Sequence, residues 1–164
     1  MKSLKPIGKS IKEHLPEILD DWQASATECE PWHSLPREAR LDNLPDVVST
    51  LVDEALSARP SRTLRLAEVR TAAEHGEHRL QMGVQEDALF TEYGLLRIAI
   101  TRFVRDHFPP PDAQRAVVRL STSTTIALAA SLWGYHRKEL EGRGEWPKAV
   151  EQLADTWLAR DPRN

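Results

Sequence analysis

The stretch "VQEDALFTEYGLLRIAITRFVRDHF", residues 84–108, decides the fold class. Positions 89, 93, 96, 100, 103 and 107 are Leu, Tyr, Leu, Ile, Phe and His. That alternation of four- and three-residue steps puts all six on one side of an α-helix over about five turns. "PPP" at 109–111 stops the helix, because proline lacks a backbone donor and forces the preceding residue out of helical geometry. Beside the main seam, Ala88, Leu95 and Ala99 make a second apolar stripe. Two stripes on one helix are more than a single neighbour covers, so the segment is expected to pack within its own subunit and against a second copy.

The flanking segments follow the same period. Glycine is scarce, prolines sit between periodic runs, and no run alternates apolar and polar with period two, which argues for an all-α chain. Ile7 to about Thr27 is read as helical, with Pro16 interrupting or kinking it. Residues 28–40 read as a loop leading into a short helix with Ser34 as N-cap and Pro36 in its first turn. "DNLPDVVSTLVDEALSA" (42–58) is a helix capped by Asn43 or Asp42, with Leu44, Val47, Val48, Leu51 and Ala55 on one face. Ser61 caps the next, which runs to about Met82, where Gly83 supplies a left-handed stop. After the prolines a helix extends from about Asp112 to Leu140. "EGRGEW" breaks it, and Pro147 to Ala159 is a final amphipathic helix carrying Val150, Leu153 and Trp157.

At 164 residues the chain is read as one domain able to bury roughly 70% of its unfolded surface without covalent staples. Its single cysteine, Cys29, forms no internal bridge and suits a reducing cytosol. With 22 basic and 25 acidic residues interspersed, the charge pattern offers nothing to nucleic acid. The lysine-bearing N-terminus has no uninterrupted apolar core of a signal peptide, and "TTIALAASLWGY" (124–135) is shorter than a membrane span needs. A cytoplasmic protein is expected.

Chemistry is suggested most strongly by "EHGEHRLQMG" (74–83). His75 and His78, three apart on a helix, can chelate one metal, with Glu74, Glu92, His107 or His136 as further ligands. Their spacing selects no partner, and the paired Glu-x-x-His signature of di-iron bundles is missing. Haem needs a proximal histidine, for which His75 and His107 are the candidates. The plain reading has His75 bonded to a neighbouring helix and His78 facing water. Gly76, beside Ala72 and Ala73, is read as clearance for a close helix, at roughly 1 kcal/mol of helix propensity. Glu92 and Arg97 are read as a partly buried polar pair that orients helices, because either charge buried alone is costly. The serines and threonines of "STSTTIALAAS" (121–131) are not set in a nucleophile elbow and are read as thinning the helix. No phosphate loop, dinucleotide fingerprint, CxxC or HExxH occurs.

Four groups of residues carry a family resemblance. They are Ile18, Leu19 and Trp22; "LPD" at 44–46; His75, Arg79 and Gly83; and Leu89, Glu92, Tyr93, Leu96, Arg97 and Ile100. In this order and separation, over about residues 10–140, the chain resembles the N-terminal sensor domain of RsbT co-antagonist (RsbRD-type) proteins, which also stands in front of bacterial sensor histidine kinases. The resemblance implies a globin-like helical domain that generally binds no haem, forms a homodimer and feeds a downstream kinase, phosphatase or STAS module. It implies no catalytic residues.

The resulting expectation is an all-α, globin-like bundle of about five to seven helices. Residues 1–140 form the sensor domain, and residues 141–164 an amphipathic linker or docking segment. The function expected is non-catalytic signal input in stress or two-component signalling, with neither cofactor nor metal and with no nucleic-acid or membrane partner. Leu89, Tyr93, Leu96, Ile100, Phe103, Leu128 and Leu132 are the expected dimer or packing interface. The alternatives are a haem- or tetrapyrrole-binding gas sensor and, behind it, a metal-dependent enzyme using His75 and His78.

Overall fold

The computed structural model describes residues 3–163, and they form an all-α bundle. Nine helices are present among the described residues: α1 Lys5–Glu13, α2 Leu15–Ala26, α3 Arg37–Leu41, α4 Leu44–Ala55, α5 Arg62–Gln81, α6 Glu86–His107, α7 Pro110–Tyr135, α8 Arg137–Gly142 and α9 Lys148–Ala159. The count exceeds the expected five to seven because two long segments break at histidines. Residues 7–27 divide at His14, where Pro16 occupies the start of α2 and cannot continue the hydrogen-bond ladder. Residues 112–140 divide at His136, which ends α7 and starts α8.

The local signals act largely as read. The Ser61 hydroxyl accepts from Leu64 N at 3.3 Å and starts α5. Gly83, at φ +74°, ends it. Val84 N then donates to Arg79 O and Gly83 N to Leu80 O, which satisfies carbonyls the last turn would leave orphaned. Ser34, however, caps nothing. Its hydroxyl donates to Glu30, and α3 starts after Pro36 without a side-chain cap.

α5 and α7 form the centre. α5 packs on α4, α7 and α9, while α7 also meets α4 and α6, and α2 closes over α6. Their closest approach is where Gly76 and Gly134 lie, lined by Ala72, Ala73, Ala127, Ala130 and Ser131. The small residues of α7 thus serve helix packing. Among the described residues, α7 alone is long and apolar enough to cross a bilayer. The window read from the sequence, 124–135, was too short to reveal this. Its apolar side chains pack against four neighbouring helices here.

On α6, Leu89, Tyr93, Leu96, Ile100 and Phe103 are all buried within the subunit, in line with the seam. His107 is not: it is exposed at the end of α6, stacked on Phe103 at 4.3 Å between ring centroids. The second stripe also turns inward, with Ala88 and Ala99 buried and Leu95 half-buried against the core. The apolar surface α6 leaves over is a different one, Phe90 at 55% and Ile98 at 51% exposure, with Gly94 between them. α9 packs on α5 and α7 through Ala149, Val150 and Ala154, and Trp146 and Trp157 lie partly buried against the core.

Candidate functional site

Spacing on α5 sets the geometry of the most distinctive cluster. Residues 75, 78 and 79 lie on neighbouring positions of one helical face. That face looks at the α3–α4 junction on one side and at Glu92 of α6 on the other. His75, Arg79 and Glu92 are all fully buried.

Arg79 is the hub. Its Nε and Nη2 donate to Glu92 Oε1 at 3.1 and 2.6 Å. Nη1 donates to Ala39 O at 2.6 Å and to Met82 Sδ, and Nη2 also donates to Arg40 O. All five guanidinium donors therefore have acceptors. Trp32 covers the cation with its centroid 4.8 Å away, and Trp22 packs edge-on against Trp32. Ala39 and Arg40 lie in the last turn of α3, where carbonyls lack helical partners and favour a cation. α3 buries no side chain of its own; Arg79 holds its last carbonyls, and Arg40 donates to Trp32 O and Leu35 O.

His75 joins three elements. Its Nε2 lies 3.0 Å from Glu92 Oε1 and its Nδ1 2.6 Å from Asn43 Oδ1. The Asn43 amide nitrogen donates to Thr71 O, which leaves Oδ1 as the atom facing the ring. Both imidazole nitrogens thus face acceptors, the arrangement of a doubly donating imidazolium. Burial by itself would lower the His75 pKa, but the Glu92 charge and the carboxylates of Asp42 and Glu92 outweigh it and raise it. Burial likewise acts to raise Glu92, and His75 and Arg79 overcome it, holding the carboxyl below its ordinary range. His78 is not simply facing water, since its Nδ1 donates to Asp42 Oδ2 at 2.8 Å. Asp42 occupies a left-handed backbone position, φ +42°, that non-glycine residues rarely adopt. Although burial works the other way, His75, with Nδ1 3.6 Å from Oδ2, and the bond from His78 keep its carboxyl well below the usual range. Asn43 precedes α4 as expected but does not cap it through its side chain, which His75 and Thr71 occupy.

Tyr93 extends the brace to α7. The Ser131 hydroxyl donates to Ala72 O at 2.6 Å, so its one proton is used and the Tyr93 hydroxyl must donate to Ser131 Oγ, also 2.6 Å away. Burial pushes the phenol upward, and it stays neutral.

The Glu92–Arg97 pair expected from the sequence does not form. Arg97 is exposed, and Glu92 pairs with Arg79 and His75 instead. The separation is geometric: five residues along a helix is well over one turn, so the two side chains leave on different faces. His107 and His75 are not brought together either. Some fifteen residues of α6 separate His107 from Glu92, about 22 Å along the axis. Among the described residues no group of three or more His, Cys, Asp or Glu side chains is arranged to hold a metal. His136 bonds Glu86, and Glu74 is exposed. Leu128 and Leu132 lie half-buried on α7.

A second buried polar cluster had no warning in the sequence reading. Glu54 of α4 takes Arg65 Nη2 at 2.8 Å and Arg163 Nη2 at 2.6 Å. Arg65 also donates to Glu68 at 2.6 Å and approaches Asp161 at 3.5 Å, and Ser123 donates to Glu54. Burial, against the pull of Arg65, pushes the Glu68 carboxyl up to about 8. With Glu68 protonated, two carboxylates balance two guanidinium groups. This cluster pins residues 161–163 to α4 and α5. The available signal was α5 itself: its wheel has no apolar side, yet the helix is central, so its charges had to be buried.

The fold and this site define a class, an all-α bundle whose buried ionisable residues hold helices together. No family model, no curated protein and no solved structure matches the chain.

Proposed function

We propose that the chain is a non-catalytic signal-input domain of a bacterial stress or two-component signalling protein, globin-like in its helical arrangement and acting as a homodimer. One observation carries this reading. His75, His78 and Glu92 are consumed by the internal brace, while the outer face of α6 offers an unpartnered apolar stripe, Phe90, Gly94 and Ile98. A catalytic site needs the reverse, a titratable group open to substrate. A stimulus or effector module would shift the packing of α6 and α7 against a second copy, since packed interfaces switch between discrete arrangements rather than deform smoothly. The sequence resemblance points the same way.

Sedimentation tests the reading. The protein should be dimeric at micromolar concentration and become monomeric, with unchanged helicity, in F90K/I98K. A wild-type monomer would end it. The haem alternative is separated by a titration. Binding iron through His75 requires breaking a buried bond to Glu92 or Asn43, so no Soret band is expected from that residue; a band that disappears in His75→Ala or in His107→Ala would replace this reading.

A further inference from the structure

Resting on the dimeric reading above, we propose that the second copy docks antiparallel, α6 against α6, with each Phe90 seated in a groove of the other subunit and Asp87 paired with Arg105 at both ends.

The outer face of α6 is ordered in a way that internal packing does not explain. Asp87, Phe90, Gly94, Ile98, Thr101 and Arg105 fall within about 40° of one line along the helix at 100° per residue. Gly94 sits in mid-helix, where glycine costs roughly 1 kcal/mol against alanine. Unlike Gly76 and Gly134, it has open space where a Cβ would be, with nothing within 4 Å. The subunit gains nothing internally from this glycine; a close-approaching second helix would. Large apolar residues one turn to either side of it, both more than half exposed, mark the same place.

Charge sets the direction. Among the described residues neither Asp87 nor Arg105 has an ion-pair partner, and the stripe is acidic at its start and basic at its end. Helix-dipole compensation accounts for the signs of these charges but not for their sharing a stripe with Phe90, Gly94 and Ile98. A parallel pair sets Asp87 against Asp87 and Arg105 against Arg105. An antiparallel pair, with its two-fold axis at the level of residue 96, sets Asp87 against Arg105 twice. The same register puts Ile98 opposite Gly94, a side chain facing a gap. It also brings Phe90 level with Arg102.

That last position holds the independent observation. A groove of about 480 Å³ lies there between α6 and α7, where Ile98 and Val117 meet the polar and charged side chains of Thr101, Arg102, Arg105 and Asp106. Arg102 is held aside by Asp21, its Nη1 2.7 Å from both carboxylate oxygens. Ile98 and Val117 offer apolar contact to a phenyl ring, and Val118 at 56% exposure extends the apolar surface onto α7. Two adjacent helices about 10 Å wide over the ~33 Å of α6 offer roughly 650 Å² per subunit, about 1,300 Å² in all, enough for a stable dimer.

Cysteine cross-linking in a Cys29→Ser background reads the register. With the antiparallel pair, Asp87→Cys alone and Arg105→Cys alone form no intermolecular disulfide, because equivalent residues lie about 27 Å apart along the axis. A mixture of the two variants cross-links. Charge reversal gives a second readout: Asp87→Arg and Arg105→Asp each weaken dimerisation roughly tenfold, and the double reversal restores it. Homotypic disulfides from the single variants, or a dimer that none of these changes affects, overturn the register while leaving the dimer intact. Wild-type protein monomeric up to about 100 µM overturns the dimeric reading itself.

Discussion

Gly76 of α5 and Gly134 of α7 each face the other helix's backbone. A Cβ on Gly76 would stand 1.8 Å from Ser131 O, and one on Gly134 1.7 Å from Ala73 O. No side chain can yield there, because the obstruction is a helical carbonyl. Gly76→Ala and Gly134→Ala should each force the central helices apart and cost at least about 3 kcal/mol by urea denaturation. Gly94→Ala, measured below the dimer's dissociation concentration, should instead stabilise by about 1 kcal/mol. Similar effects at all three sites would show that the crossing is not the constraint.

Removing the Glu92 charge leaves Arg79 and His75 buried without their carboxylate. Glu92→Gln should lose about 3–5 kcal/mol, although it preserves shape, because an uncompensated buried charge remains. Arg97→Gln, on the exposed side of the same helix, should change stability by less than about 0.5 kcal/mol. Chemical denaturation of both variants checks the contrast.

Groups with opposite pH slopes are buried side by side in this fold. Asp42 and Glu92 titrate below their ordinary values in the folded state. They stabilise above the ordinary carboxylate pKa, and that contribution is lost as pH falls through their lowered values. Glu68, raised from 4.5 to about 8, keeps in the folded state a proton that the unfolded chain releases. It therefore favours folding at low pH and loses that contribution as pH rises from 4.5 towards 8. His75, also raised, stabilises fully below the ordinary histidine value and declines as pH rises through its own. Stability should thus fall on the alkaline side, and Glu68→Gln should flatten that limb, measured as melting temperature against pH. An unchanged alkaline limb in Glu68→Gln would remove Glu68 from the account.

The Tyr93–Ser131–Ala72 chain has a fixed donor order. Tyr93→Phe removes the terminal donor and should cost about 1 kcal/mol. Ser131→Ala leaves the buried Tyr93 hydroxyl without an acceptor and should cost more, about 2 kcal/mol, with strong coupling in the double variant. Equal and additive losses would reverse the assigned order.

The helices were legible because their signals are local. The 89–103 seam, the Ser61 cap and the Gly83 stop each depend on residues a few positions apart, and all three appear where read. Gly76 was legible as clearance because a mid-helix glycine among alanines has few other uses. The brace was only half legible. His75 bonding a neighbouring helix could be anticipated, but its partners Asn43 and Glu92 lie 32 and 17 residues away, and no period connects them. Arg97 is the nearer arginine to Glu92 in sequence, but the closer group in space is Arg79. Arg65 and Glu68 are neighbours on α5, but their links to Glu54 and Arg163 have no local signal, since the cluster spans more than a hundred residues.

Sequence alone determined that this chain is helical, where most helices start and stop, and which face of α6 is apolar enough to be buried. Those are matters of backbone period and capping, decided within one or two turns. Tertiary structure decided the rest: which charges are paired, which of the two remaining α6 stripes faces out, and that His75 and His78 serve as struts. A helix surface is continuous, and only the positions of its neighbours determine which part of it water can reach.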